Sequence, residues 1–344
     1  MKIAIDTSIP FIKGVFEPYA EVVYLDGMSM RREDILDADA MVIRTRTRCN
    51  AELLEGSSVK VIATASIGTD HIDNDFCRSH GIYHKNAAGC NAGGVMNYVF
   101  SALYGTAARK SINLSGATFG IIGVGNTGSR IARTASALGF RTLLYDPPRA
   151  EAEGPEGFCS LDRLLRESDI ISIHAPLNAE TRGMADSKFF ARMKFGAFFI
   201  NTARGEIVVE DDLIAAIPKL GPVVIDVWQD EPFVNRTLLN LVDIATPHIA
   251  GYSYQGKQYG TAYAVRTIAR FFGFKELYDY FPLTTVKALE AVKVDVIDKT
   301  QGQIASAIQY NYPIFTDDFM FRINPDSFIQ LRKDYKYRIE YYIE

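Results

Sequence analysis

The chain is poor in cysteine and histidine: its 344 residues hold four of the first and five of the second. Cys49, Cys77, Cys90 and Cys159 show no paired metal-ligand spacing. That argues against a metal centre or a disulfide framework and for reduced structural thiols in a cytoplasmic protein. No apolar run is long enough to span a bilayer, and the opening "MKIAIDTSIP" lacks the apolar stretch of a secretion signal. An excess of one charge is also missing. Lys and Arg number 37 against 41 Asp and Glu, a net charge of −4, so no global basic field points to nucleic acid, and any anion site must be a local cluster.

What remains is ordinary for a globular protein: 48% hydrophobic and 23% charged residues, over a length that suggests two or three domains. Short apolar runs alternate with helical stretches. "KIAID", "EVVYLD", "AMVIRT", "VKVIATAS" and "IYHKNA" predict five strands with helices between them, a parallel sheet covered on both faces over residues 1–90. A long helix from about Asn91 leads into a second α/β unit, 91–261. Its strands are "TFGIIG", "RTLLYD", "DIISIHA", "AFFINTA", "VVIDVW" and "VDIAT", and Asp186 caps the helix "SKFFARMK". The helix "TAYAVRTIARFFGF" is expected to return to the first unit, so that 262–280 belongs with 1–90. From 281 to 344 the βα rhythm stops and the sequence is mixed and aromatic-rich. A segment of that size folds alone only marginally, so we expect a small α+β unit at a homodimer interface, with an ordinary surface tail as the alternative.

"GIIGVGNTG" lies between an apolar strand and a helix, with Gly123, Gly125 and Gly128 in G-x-G-x-x-G spacing. The first glycine serves the tight turn, the second lets a pyrophosphate approach, and the third lets helix and strand pack. Asn126 and Thr127 open the helix whose free N–H groups favour phosphate. Asp146, ending the next strand, stands where an acid bonds a ribose 2′-hydroxyl. Its charge opposes the extra phosphate of NADP, although Arg149 is near, so the expected cofactor is NAD.

Three further strand ends carry chemistry, and in open α/β sheets ligands bind there. "NTARG" supplies Thr202, Ala203 and Arg204, whose guanidinium matches a carboxylate with two hydrogen bonds. "DVWQDEP" supplies Asp226 and Glu231, and "TPHIAG" supplies His248 and Gly251. A carboxylate beside an imidazole fixes its tautomer and stabilises its charged form, as an acid–base group needs when a hydroxyl loses its proton and hydride. "MVIRTRTRC" places Arg44, Arg46 and Arg48 at alternate positions. If the strand continues they share one face, either as a solvated edge or as a phosphate site. Ser66 follows the fourth strand, and Gly68 allows close backbone approach.

The glycine motif, "NTARG", "DVWQDEP" and "TPHIAG", in this order over residues 1–275, resemble the D-isomer-specific 2-hydroxyacid dehydrogenases. The resemblance implies a Rossmann-like NAD domain and a flavodoxin-like substrate domain with a cleft between them. It also implies that Arg204 grips the substrate carboxylate, Glu231 supports the histidine and His248 handles the proton. "RTRT", "TASIGTDHID", "NAAGCNAGGV", "DPPRA" and "HIAGYSYQGKQYGT" match one branch of that family. The match implies substrate contacts at Thr45, Ser66 and Tyr252, NAD contacts at Asp146, Ala175, Asp226 and Gly251, and a dimer built by the C-terminal segment. Arg44, Thr45 and Arg46 are then candidates for a distal phosphate, and the expected reaction is oxidation of a phosphorylated 2-hydroxy acid. Two departures stand out: Asn97 replaces a usual glutamate, and the C-terminal segment is short. An unphosphorylated hydroxy acid as substrate, or an NAD-sensing binding protein on the same scaffold, are the alternatives.

Overall fold

The computed structural model describes residues 1–283 and 292–343. They form two compact units, one built from Met1–Asn91 with residues 254–283, the other from Ala92–Ser253 with residues 292–343.

In the first unit, β1 (Lys2–Asp6), β2 (Glu21–Leu25), β3 (Ala40–Ile43), β4 (Val61–Thr64) and β5 (Tyr83–Asn86) make a parallel sheet in the order β2-β1-β3-β4-β5. That is the flavodoxin-like order. Strands β3 and β4 are buried throughout, as their unbroken apolar runs require of a sheet covered on both faces. Ile3, Ile5, Val42, Val61 and Ala63 pack on one side with Val265 and Ile268, and Met41, Ile43 and Ile62 on the other with Leu54 and Cys77. Short helices start where the sequence supplies caps: Asn50 accepts the Leu53 N–H at 3.3 Å and Asp73 the Phe76 N–H at 2.9 Å.

The returning helix runs over Tyr254–Phe272, one full turn and more ahead of the apolar stretch that predicted it. Residues 254–260 hold two glycines and read as loop. Gly260 is there for packing: a β-carbon on it would sit 2.9 Å from the Ala65 carbonyl oxygen.

The second unit is a six-stranded parallel sheet of β6 (Thr118–Ile122), β7 (Arg141–Tyr145), β8 (Ile170–Ile173), β9 (Phe198–Asn201), β10 (Val223–Ile225) and β11 (Ile244–Ala245), ordered β11-β10-β9-β8-β6-β7. The order reverses between β6 and β8, the switch point at which such sheets bind ligands. The helix Ala92–Lys110 is buried from Ala92 to Ala107, as a helix apolar on every side must be.

The described part of 281–344 has helices Gln301–Asn311, Ile314–Ile323 and Phe328–Lys333, and a two-stranded parallel sheet of β12 (Val292–Val294) and β13 (Tyr341–Ile343). Its Ile304, Ile308, Tyr312 and Tyr341 join the core around the Ala92–Lys110 helix. The expected start of a separate unit, in "LTTVKALEAV", lies mostly outside the described residues. Asn97 is buried and reads as a peptide group: its Nδ2 donates to the Tyr341 carbonyl at 2.8 Å, and its Oδ1 accepts the Tyr341 N–H at 3.1 Å. A glutamate could not donate there. Asp318 accepts the Ala245 N–H at 2.7 Å, so this segment also closes the β11 edge of the sheet.

Arg338 ties the segment down. Its guanidinium donates to the carbonyls of Gly94 (2.9 Å), Ile249 (3.1 Å) and Ala250, and lies 4.2 Å from the Tyr312 ring centroid. Two residues on, Glu340 accepts the Ser253 hydroxyl at 2.7 Å. Replacing Arg338 with methionine strands three buried carbonyls and should cost about 3 kcal/mol of stability. A urea midpoint equal to wild type would contradict this anchoring.

Candidate active site

The turn after β6 is built around the Val124 peptide. Its N–H donates to Asp146 Oδ2 at 2.7 Å, and its carbonyl accepts from Arg149 Nη1 and Ser129 Oγ, each at 2.7 Å. Gly123 has φ 83° and lies against the backbone of His174 and Ala175 at the end of β8, where a β-carbon has no room. Gly125 is different: nothing lies within 4 Å of the position its β-carbon would take. It caps the twelve-residue helix Asn126–Ala137. Open space and free helix N–H groups at the switch point fit a pyrophosphate, so the turn suits NAD. Asp146 also caps the helix Pro147–Glu153 through the Arg149 N–H. Arg149 is held by Glu153 in two 2.6 Å bonds, which removes much of its attraction for a further phosphate.

Ala175 and Thr202 stand at neighbouring strand ends. Thr202 Oγ1 lies 3.3 Å from His174 Nδ1, and Ser172 Oγ 2.8 Å from its Nε2. Desolvation pushes His174 down to about 3, so it is a neutral ring used for hydrogen bonding. Ala203 gives its N–H to Asn201 Oδ1, while Asn201 Nδ2 donates to the Arg204 carbonyl. The buried Asn201 thereby shapes the loop that carries Arg204. Gly205 lies so close to the backbone of Trp228 and Gln229 that no β-carbon fits, which sets this loop directly against the one after β10.

In that second loop Glu231 Oε1 accepts the Trp228 N–H at 3.1 Å. Its oxygens lie 2.8 and 3.0 Å from His248 Nδ1. Burial pushes Glu231 up, but His248, Arg332 and the Trp228 N–H outweigh it and hold its carboxyl below the ordinary glutamate value. An ionised Glu231 can only accept, so Nδ1 carries the proton and Nε2 presents its lone pair. His248 itself has φ 56°, a left-handed conformation that a non-glycine residue holds only when its surroundings enforce it. Asp226 does so. Its Oδ1 accepts Thr246 Oγ1 at 2.6 Å and the Ile249 N–H at 2.7 Å, its Oδ2 accepts the Ala250 N–H at 2.9 Å, and its carbonyl takes the His248 N–H at 2.7 Å. Expected as a cofactor contact, Asp226 is 1% exposed, with its carboxylate spent on the histidine loop.

Tyr252 follows Gly251 on the same loop. Tyr335 and Tyr337 stand edge-on to its ring at 5.9 and 6.2 Å, and the Arg332 guanidinium lies 5.8 Å from its centroid. The residues Arg332, Tyr335 and Tyr337 did not stand out in the sequence beyond a general aromatic and basic texture.

In the first unit the arginine row does not form. Strand β3 ends at Ile43, and a turn closed by the Thr47 N–H on the Arg44 carbonyl at 3.2 Å breaks the alternation. Arg44 Nη1 donates to the Ser8 carbonyl at 3.2 Å. Thr45 is exposed in the turn. Arg46 and Arg48 line a surface cavity of about 400 Å³ with Arg31, Arg32, Glu33 and Glu52. Ser66 Oγ shares a 2.6 Å hydrogen bond with Thr64 and reaches the Gly68 carbonyl at 3.4 Å. Burial pushes the Cys49, Cys77 and Cys159 thiols up, away from reactivity. Among the described residues there is no cluster of metal-ligating side chains, and no helix is long and apolar enough to cross a membrane.

A doubly wound sheet with an open glycine turn, an acid after the second strand and a carboxylate–imidazole pair at its strand ends defines the class: an NAD-dependent oxidoreductase. Comparison with known proteins agrees. Residues 97–250 match the NAD-binding domain of the D-isomer-specific 2-hydroxyacid dehydrogenases. An erythronate-4-phosphate dehydrogenase of Bacteroides thetaiotaomicron is 43% identical, covering 99% of this chain and 97% of that protein, and one of Yersinia pestis is 37% identical, covering 99% and 93%. The NAD-bound 3-phosphoglycerate dehydrogenase of Entamoeba histolytica superposes with a TM-score of 0.69 at 27% identity, covering 83% of this chain and 99% of that one. The chain belongs to the D-isomer-specific 2-hydroxyacid dehydrogenase family, among the erythronate-4-phosphate dehydrogenases.

Replacing Asp146 with serine should lower the preference for NAD over NADP, as the ratio of the two kcat/KM values, by about tenfold or more. The ratio cancels any general loss from loosening the Val124 turn. An unchanged ratio would show that Asp146 serves only the turn.

Proposed function

We propose that this enzyme oxidises 4-phospho-D-erythronate at its 2-hydroxyl to (R)-3-hydroxy-2-oxo-4-phosphooxybutanoate, within pyridoxal 5′-phosphate (vitamin B6) biosynthesis. The observation that carries the reading is the Glu231–His248 pair, 2.8 Å apart, in a chain this similar to proteins named for that substrate. His248 Nε2 takes the proton of the 2-hydroxyl. Glu231 stabilises the imidazolium that forms and holds the ring in one tautomer. Arg204 grips the substrate carboxylate, and Tyr252 meets the substrate beside it. Gly123, Gly125, Asn126, Thr127 and Gly128 hold the cofactor's phosphates, Asp146 its ribose, and Ala175, Thr202, Ala203 and Gly251 line its remaining length. Asp226 serves it indirectly, by fixing the loop. NAD, when bound, supplies the hydride acceptor.

Arg44, Thr45, Arg46, Ser66 and Gly68 are assigned to the substrate, with Arg44, Thr45 and Arg46 toward its distal phosphate. Homodimerisation through the C-terminal segment belongs to the same proposal. Phe319 (59% exposed), Ile323 (54%) and Tyr310 (89%) stand in water there, and aromatic and apolar side chains of that kind favour an interface. The cytoplasmic location expected from the cysteine spacing belongs with it too.

Steady-state assays with NAD and 4-phospho-D-erythronate test the reading. Replacing Arg44 and Arg46 with neutral residues should raise KM for the phosphorylated acid by about tenfold or more while KM for NAD stays put. An unchanged KM would remove the phosphate assignment. Turnover only with unphosphorylated acids, or NAD binding with no turnover, would replace the proposed activity.

A further inference from the structure

The C-terminal segment brings one charged side chain to the acid–base pair, and the proposed chemistry has not used it. Arg332 lies in the last turn of the helix Phe328–Lys333. Its Nη1 is 4.0 Å from Glu231 Oε2, the same oxygen that His248 Nδ1 approaches at 2.8 Å. The guanidinium is steered by rings on two sides, 5.6 Å from the Phe328 centroid and 5.8 Å from that of Tyr252. Its Nε is buried with no hydrogen-bond partner, so no hydrogen bond at Nε accounts for this placement. The side chain is 21% exposed, close to the 22% of Glu231, and charges this shielded from solvent interact strongly at such a separation.

We propose that Arg332 is a positioning residue for the Glu231–His248 pair: it keeps the Glu231 carboxylate ionised and turned toward Nδ1, and so readies His248 to accept the substrate proton. Glu231 sits where burial favours its neutral form. A neutral Glu231 would lose its attraction for the imidazolium and its hold on the ring. Keeping the carboxylate charged there takes a cation. Arg332 supplies one without sitting on the imidazole. The C-terminal segment thus reaches the chemistry of its own chain, besides any part it plays between chains. The inference rests on the activity proposed above only in assigning the proton transfer to His248.

The test is a double-mutant cycle on the full-length enzyme with NAD, using Arg332→Met, Arg332→Lys and Glu231→Gln. Arg332→Met should lower kcat about tenfold with KM for the hydroxy acid within about twofold, and Arg332→Lys should recover most of the loss. In the Glu231→Gln background, where no carboxylate charge remains, Arg332→Met should change kcat by less than about twofold. The His248 Nδ1–H proton resonance is read in parallel and needs no turnover. It should shift in Arg332→Met and move back toward wild type in Arg332→Lys. A raised KM with unchanged kcat would make Arg332 a substrate ligand instead. A tenfold loss that persists beside Glu231→Gln, or a resonance unmoved by Arg332→Met, would overturn the proposal. Wild-type enzyme inactive on the phosphorylated acid, but with the resonance shift present, would sink the proposed substrate and leave the role of Arg332 standing.

Discussion

A carboxylate holding an imidazole by one nitrogen is the constraint around which the catalytic half of this protein is organised. The bond from His248 Nδ1 to Glu231 leaves Nε2 as the only ring atom free to exchange a proton. To keep it there the chain accepts a left-handed backbone at a histidine, a strain of order 1–3 kcal/mol. It also accepts a buried aspartate, Asp226, whose pKa burial raises against the pull of His248 and of its hydrogen-bond donors. Both costs are local, and both serve the histidine loop, where geometry matters most.

The sheet explains why these residues can be far apart in sequence. Strands β9, β10 and β11 are adjacent and parallel, so their carboxyl ends stand side by side. Arg204, Glu231 and His248 each follow one of them. Gly205 against the Trp228 backbone couples the loops after β9 and β10 through the main chain, and the Trp228 N–H then fixes Glu231 within the second of them. On the far side of the switch point, the Val124 peptide is held at both ends, which keeps the glycine turn open at Gly125.

Much of this was legible in the sequence. Short apolar runs such as "AMVI" and "AFFI", bounded by turn residues, read as strands buried on both faces, and each motif follows such a run. The helix cap Asp186 was equally direct. What escaped was non-local. The alternation of Arg44, Arg46 and Arg48 assumed a strand, but the turn beyond Ile43 is set by where the chain must go next, which side-chain spacing does not encode. The residues 254–260 looked like loop because glycine is a poor helix former, yet Gly260 answers to a carbonyl of another segment. Asn97 looked like an unexplained substitution until the Tyr341 peptide appeared beside it. Arg332 and Arg338 come from a segment without rhythm, and their roles depend on partners about 80 to 245 residues away in sequence.

The most direct test of the whole account is NADH formation from 4-phospho-D-erythronate by the wild-type enzyme and by His248→Gln, with NAD affinity measured on both. A functioning acid–base imidazole predicts turnover by the wild type and a loss of about a hundredfold or more in kcat for the variant, at unchanged NAD affinity. Equal kcat values for the two proteins would contradict it.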